Sequence, residues 1–183
     1  MRVPLHNLVS LSRYVLTPVV AALAWTPGTQ PLAVFLAIVV GVSDFIDGPL
    51  ARRAGDAKPL GALLDMTGDK VFLCTMLIVL AVMDRSPAWA AWLITSRELI
   101  VLFLRVVAAT HGKPLPIAAF GKLKTFMLYL LVPIALADAS WEAVWFLAWA
   151  STLSALASLV EYLVKMRGDL AEEFLAPRHL RRP

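Results

Sequence analysis

Asp44-Phe45-Ile46-Asp47-Gly48-Pro49-Leu50-Ala51-Arg52, then eight residues, then Gly61-Ala62-Leu63-Leu64-Asp65-Met66-Thr67-Gly68-Asp69: the rest of the chain is arranged around this stretch. Its four aspartates sit at the inner ends of two strongly apolar segments. In a helix, Asp44 and Asp47 are three apart and share a face. Asp65 and Asp69 are four apart and share a face as well. The short link makes the two helices antiparallel neighbours, so the four acids can converge on one small volume.

Convergence needs a physical reason. A carboxylate at the centre of a bilayer helix costs roughly 2.5–3.5 kcal/mol on insertion scales, and four together repel each other. Divalent cations remove both penalties. Carboxylate-rich sites suit hard cations such as Mg2+ or Mn2+. Two cations about 3.5–4 Å apart can clamp the attacking and leaving oxygens of an in-line displacement at phosphorus. The bland alternative is four loop acids that merely end helices. Four acids, two glycines and an arginine at fixed spacing are more than helix caps require.

The glycines support a ligand slot. Gly48 follows Asp47 directly and removes a side chain, Ala51 is small, and Gly61 stands one turn before Asp65 on the facing helix. Small residues at these points let a ligand or a neighbouring helix approach the backbone. Pro49 lacks an N–H and is expected to kink its helix beside the acids. Arg52, one turn beyond Gly48, can face a diphosphate. Arg53 and Lys58 are read as partners of lipid phosphates or water.

Composition sets the surroundings. The chain has 183 residues, 60% hydrophobic and 16% charged, with mean hydropathy +0.75. Ordinary soluble domains carry about 25% charged residues. One span takes about 20 apolar residues, so the chain has room for six and little else. The expected fold class is all-α, a polytopic integral membrane protein with six transmembrane helices. Residues 1–183 form a single membrane-embedded domain in this reading. A short interfacial lead-in occupies 1–7, and a basic tail occupies 166–183. The spans are expected at about 8–25, 31–53, 61–83, 88–110, 118–137 and 141–165. Asp84-Arg85-Ser86-Pro87 and Asp138 to Glu142 are turns. Arg13 interrupts the first apolar run, which argues against a secretory signal.

Lysines and arginines set the orientation. With the N-terminus inside, the inner side collects Arg2, Arg52, Arg53, Lys58, Lys113, Lys122, Lys124, Lys165, Arg167, Arg178, Arg181 and Arg182. The outer loops hold only Arg85, beside Asp84, with Asp138 and Glu142. Both termini and the acids therefore fall on the cytoplasmic side of the inner membrane. Trp25, Trp89, Trp92, Trp141 and Trp145 lie near the outer ends and read as an interfacial belt. Cys74 is the only cysteine, which excludes an intrachain disulfide or a cysteine zinc cluster. No Walker loop, His-Glu metal motif or dinucleotide fingerprint is present. No nucleic-acid partner is expected.

The pattern DxxDGxxAR, eight residues, then GxxxDxxxD resembles the signature of the CDP-alcohol phosphotransferases, and every signature position is filled. The resemblance implies a six-helix membrane enzyme, usually a homodimer, with a two-metal site at the cytoplasmic side. Such an enzyme cleaves a CDP-linked lipid, passes the phosphatidyl group to an alcohol and releases CMP. It carries metal ligation onto Asp44, Asp47, Asp65 and Asp69, and a general-base role onto Asp69, with Asp65 beside it in the catalytic set. Nucleotide contacts fall on Asp44, Asp47, Gly48, Ala51, Arg52, Gly61 and Asp65.

A second set of charges lies outside the signature. Arg97 and Glu98 sit inside the fourth span, Arg105 lies two turns after Arg97, and Gly121-Lys122-Leu123-Lys124-Thr125 opens the fifth. Intramembrane arginines need a partner or a cavity. One reading makes Arg97, Arg105, Lys122 and Lys124 the dock for an anionic acceptor. The other makes Arg97 and Glu98 a structural pair and the rest positive-inside charges. Ser96-Arg97-Glu98-Leu99, Leu104-Arg105, Gly121 to Thr125 and the opening Asn7 to Arg13 resemble the phosphatidylglycerophosphate synthase branch. That branch joins CDP-diacylglycerol to sn-glycerol 3-phosphate. Two departures stand out. Lys58-Pro59-Leu60-Gly61 replaces the branch's frequent Thr-x-Phe-Gly, and Asp65-Met66-Thr67-Gly68-Asp69-Lys70 replaces Asp-Pro-x-Ala-Asp-Lys. Alternatives are another acceptor (phosphatidylglycerol, inositol phosphate, inositol or serine) and, from a different class, a divalent-cation transporter. A transporter would place its site near the midplane, whereas these acids lie toward one face.

Overall fold

The computed structural model describes residues 5–54, 59–110 and 119–175, and the side chains of 11–45, 67–108 and 120–167. Six helices follow in order: α1 (Leu5–Trp25), α2 (Gln30–Ala54), α3 (Pro59–Val82), α4 (Ala88–Thr110), α5 (Ala119–Leu136) and α6 (Trp141–Leu175). The described residues contain no strand. The helices match the six expected apolar runs, with α1 beginning at Leu5, inside the expected 1–7 lead-in, and α6 ten residues longer at its C-terminal end than the expected limit of 165.

The turns end the helices by hydrogen bonding. At the end of α3, Asp84 takes the left-handed conformation at φ 57°. Its N–H then donates to Ala81 O at 3.2 Å, and the Arg85 N–H donates to Leu80 O at 2.8 Å. That pair of hydrogen bonds satisfies two of the last carbonyls of the helix. Asp138 repeats it after α5 at φ 52°, with Asp138 N–H to Ala135 O and Ala139 N–H to Ile134 O. Ser140 opens α6, its Oγ accepting from the Ala143 N–H at 3.2 Å. Arg85 Nη1 donates to Leu136 O at 2.8 Å, so the α3–α4 turn and the end of α5 lie at the same end of the bundle. Trp89, Trp145 and Trp149 cluster there, with Trp89 and Trp149 ring centroids 4.4 Å apart.

The neighbour relations close a ring: α1 touches α2, α2 touches α5, α5 touches α6, α6 touches α4, α4 touches α3, and α3 returns to α1, with α3 and α5 also in contact. Over the described residues α2 and α3 share at most marginal direct contact. Over those residues α1 and α5 each pack against both α2 and α3, so the side-by-side packing of α2 on α3 expected from the short link is replaced there by contacts through α1 and α5. The main core draws on all six helices, among them Val20, Val40, Phe72, Met76, Leu80, Ile94, Leu128 and Ala148. Gly41 of α2 lets Tyr129 of α5 come close; a Cβ there would stand 3.0 Å from the ring.

The outside of the bundle is apolar. Leu11, Val15, Phe35, Trp92, Phe103, Phe146 and Leu153 are all more than half exposed. Soluble monomers rarely present contiguous apolar surface on this scale, so this surface suits lipid. Among the described residues one segment, Trp141–Arg167, is long and apolar enough to cross a membrane. Leu11–Trp25 and Gln30–Phe45 are shorter apolar helices.

Candidate active site

The four signature acids lie on helical backbone, one turn apart in pairs on α2 and α3. Side chains are described for Asp44 and Asp69. Asp47, Gly48, Ala51, Arg52, Gly61 and Asp65 lie outside the residues whose side chains are described. Among the described residues no group of three metal-binding side chains meets.

Asp44 faces α1. Its Oδ1 is 2.8 Å from Nη1 of Arg13, which is 1% exposed. The next residue of α1, Tyr14, is hydrogen-bonded through its hydroxyl to Thr67 Oγ1 of α3 at 2.5 Å. Thr67 stands between Asp65 and Asp69 in sequence. Asp69 Oδ1 is buried, has no hydrogen-bond donor among the described residues, and lies 3.6 Å from Lys70 Nζ. A buried anionic oxygen in that condition is costly unless a cation completes it. Lys124 attracts the same carboxylate electrostatically, and Glu98 repels it.

Glu98 leads to the second set of charges. Its Oε1 accepts from Arg97 Nη1 and from Lys124 Nζ, both at 2.6 Å, so one carboxylate of α4 ties α4 to α5. All three residues are buried. Arg97 also donates from Nε to Ala155 O at 3.2 Å and from Nη2 to Ser158 Oγ, which secures α6. Arg105 donates from Nη2 to the Tyr162 hydroxyl at 2.9 Å. The Tyr162 ring lies against both guanidinium groups, 5.9 Å from the Arg97 carbon and 5.6 Å from that of Arg105. Arg105 Nε is buried and has no acceptor among the described residues. The structure therefore gathers Arg97, Arg105 and Lys124 around Glu98 and Tyr162. Lys122 is exposed and takes no part in this described network.

A family model described as CDP-alcohol phosphatidyltransferase matches residues 3–158. The chain belongs to that family. As a CDP-alcohol phosphatidyltransferase it is a transferase, and phosphatidyl transfer is a step of phospholipid biosynthesis. It is 32% identical over 151 residues to the cardiolipin synthase (CMP-forming) of Streptomyces coelicolor, covering 77% of this chain and 70% of that protein. It is 30% identical over 142 residues to the CDP-diacylglycerol–glycerol-3-phosphate 3-phosphatidyltransferase of Bacillus subtilis, covering 70% and 74%. The protein of that name from Salmonella choleraesuis is 29% identical over 192 residues, covering 94% of this chain and all of its own length.

Within this phosphatidyltransferase, sequence reasoning passed over several residues of the described networks. Arg13 read only as an interruption of an apolar run, and Tyr14, Thr67 and Lys70 carried no signal of their own. Ser158 and Tyr162 did leave one: polar groups four apart along an apolar helix mark one buried face.

Proposed function

We propose that this phosphatidyltransferase moves the phosphatidyl group of CDP-diacylglycerol to sn-glycerol 3-phosphate, giving phosphatidylglycerophosphate and CMP. The observation that carries the acceptor is the buried charge count. Arg97, Arg105 and Lys124 outnumber the described carboxylates that act on them, which are Glu98 and, for Lys124, also Asp69, and Arg105 Nε has no acceptor among the described residues. Buried excess positive charge favours a phosphomonoester over inositol or serine, because a desolvated cation needs an anionic partner. The B. subtilis and S. choleraesuis relatives carry this activity in their names. The S. coelicolor relative supports a second reading, in which phosphatidylglycerol is the acceptor.

Two divalent cations, Mg2+ or Mn2+, would be held by Asp44, Asp47, Asp65 and Asp69. The orphaned Oδ1 of Asp69 fits such a group, and so does the hard oxygen chemistry of the four carboxylates. Bound there, the cations neutralise the diphosphate and the charge that develops on the departing CMP. Gly48, Ala51 and Gly61 leave room for the nucleotide, and Arg52 meets its diphosphate. Arg105, Arg97 and Lys124, with Lys122 at the entrance, orient the acceptor. The acceptor hydroxyl oxygen forms a bond to the β-phosphorus while the bond from that phosphorus to the bridging oxygen breaks. The hydroxyl proton passes to Asp69, and CMP leaves with the bond's electron pair. Catalysis is mostly positioning and charge neutralisation.

In this reading residues 1–183 form one domain of six spans in the inner membrane. Both termini and the acids are cytoplasmic, and two copies associate as a homodimer amid membrane lipids. The apolar exterior supports the spans, and the basic residues at the opposite end from Arg85 support the orientation. The test uses purified protein, CDP-diacylglycerol, Mg2+ or Mn2+, and a panel of acceptors, scoring CMP and lipid product. Glycerol 3-phosphate should exceed phosphatidylglycerol, inositol phosphate, inositol and serine at least tenfold, and chelation should stop turnover. Preference for phosphatidylglycerol would establish the second reading. Undiminished turnover under exhaustive chelation would refute the metal assignment.

A further inference from the structure

Consecutive residues of α1 hold the two acid-bearing helices. Arg13 reaches Asp44 of α2 at 2.8 Å, and Tyr14 reaches Thr67 of α3 at 2.5 Å. Neighbours on a helix point about 100° apart at 3.6 residues per turn, so one turn of α1 naturally addresses two different helices. The described parts of α2 and α3 have little direct contact, whereas α1 packs against both. Arg13 is 1% exposed, so its charge persists there only because it is paired. Its backbone is held too: the Thr17 hydroxyl donates to Arg13 O at 2.6 Å.

We propose that Arg13 and Tyr14 are positioning residues that set the separation of the two carboxylate-bearing helices, with Arg13 also fixing the orientation of Asp44. This rests on the reading above that the aspartates hold divalent cations. Ligands on two helices must be placed closely if two ions are to sit about 3.5–4 Å apart. Over their described residues α2 and α3 share little packing, so there a third element holds that spacing. Position and charge make opposite forecasts here. By charge alone, Arg13 repels a cation from Asp44, and removing it should tighten metal binding. As a positioning residue, its removal should weaken metal binding.

The test measures Mn2+ binding by electron paramagnetic resonance on whole protein in nanodiscs without substrate. In parallel, spin labels at Val42→Cys on α2 and Val71→Cys on α3, in a Cys74→Ser background, report the distance between the helices. Both labelled positions are exposed. Arg13→Gln should weaken Mn2+ binding at least tenfold and broaden or shift the label distance. Arg13→Lys should recover part of the loss. Tyr14→Phe, which removes only the hydroxyl, should weaken binding several-fold. In turnover, all three should raise the metal concentration for half-maximal rate more than they raise KM for glycerol 3-phosphate. Tighter or unchanged Mn2+ binding with an unchanged distance overturns the proposal. If Arg13→Gln does not fold, Arg13→Lys and Tyr14→Phe decide by the same criteria. If the unmutated protein binds no Mn2+, the cation reading fails, and the label distance still decides whether α1 sets the helix separation.

Discussion

Glu98→Gln keeps the shape of the side chain and removes the charge on which two cations close. Oε1 of Glu98 receives both Arg97 and Lys124 at 2.6 Å, and each of the three residues is no more than 5% exposed. A hydrogen bond to a charged group contributes about 1.5–3 kcal/mol, and removing one member of a buried ion pair costs about 3–5 kcal/mol. We take about 3–5 kcal/mol as the expected loss, because Arg97 keeps its bonds to Ala155 and Ser158. For a chain of this length, each kcal/mol moves Tm by about 2–4 °C, so Tm should fall by about 6–20 °C. The assay is thermal unfolding followed by circular dichroism in one detergent, completed as a double-mutant cycle with Lys124→Met. The double variant should be more stable than the sum of the single losses predicts, since it no longer buries an unpaired ammonium. A Tm change below 2 °C for Glu98→Gln, or strict additivity in the cycle, would refute the reasoning.

Two further outcomes are expected. Asp69→Asn should lower CMP release by about 10²–10⁴-fold, the usual contribution of a general base, while Tm stays near that of the unmutated protein; wild-type-like turnover would remove Asp69 from its role. Gly41→Ala should destabilise by about 1–3 kcal/mol, the usual range for overpacking. Its Cβ would meet Tyr129 at 3.0 Å, and that ring is hemmed in by Phe45 at 5.9 Å and Phe72 at 6.4 Å between ring centroids. Tyr129→Leu in the same chain should recover stability. A Gly41→Ala protein as stable as its parent would show that the ring yields freely.

The elements that local chemistry governs were legible without coordinates. Apolar runs broken by Thr26-Pro27-Gly28, Asp84 to Pro87 and Asp138 to Ser140 marked the helices. Each described turn falls where a residue that tolerates positive φ ends the run. The later reach of α6 escaped, because Glu161, Lys165 and Arg167 end an apolar pattern without ending a helix. Lys165 in fact pairs with Glu161 at 2.5 Å, one turn back on the same helix. The acids, the glycines and Arg52 stood out in the sequence because their spacing is short-range and specific, and the structure places them on the helical backbone of α2 and α3.

Charge pairing is a different kind of fact. That Glu98 would pair with its neighbour Arg97 was one of the readings open beforehand. That Lys124 would share the same oxygen, with Ser158 and Tyr162 closing the group, depends on α4, α5 and α6 meeting at one depth. Likewise nothing in the first 45 residues says that Arg13 faces Asp44. From sequence alone came the six helices, the described turns between them, the family and the place of the acids on the second and third helices, because helical periodicity and turn chemistry act over a few residues. The tertiary structure alone decided that Lys124 joins Glu98 and that Arg13 joins Asp44, because those partners lie on different helices, 26 residues apart in the first pair, and meet only through the packing of whole helices.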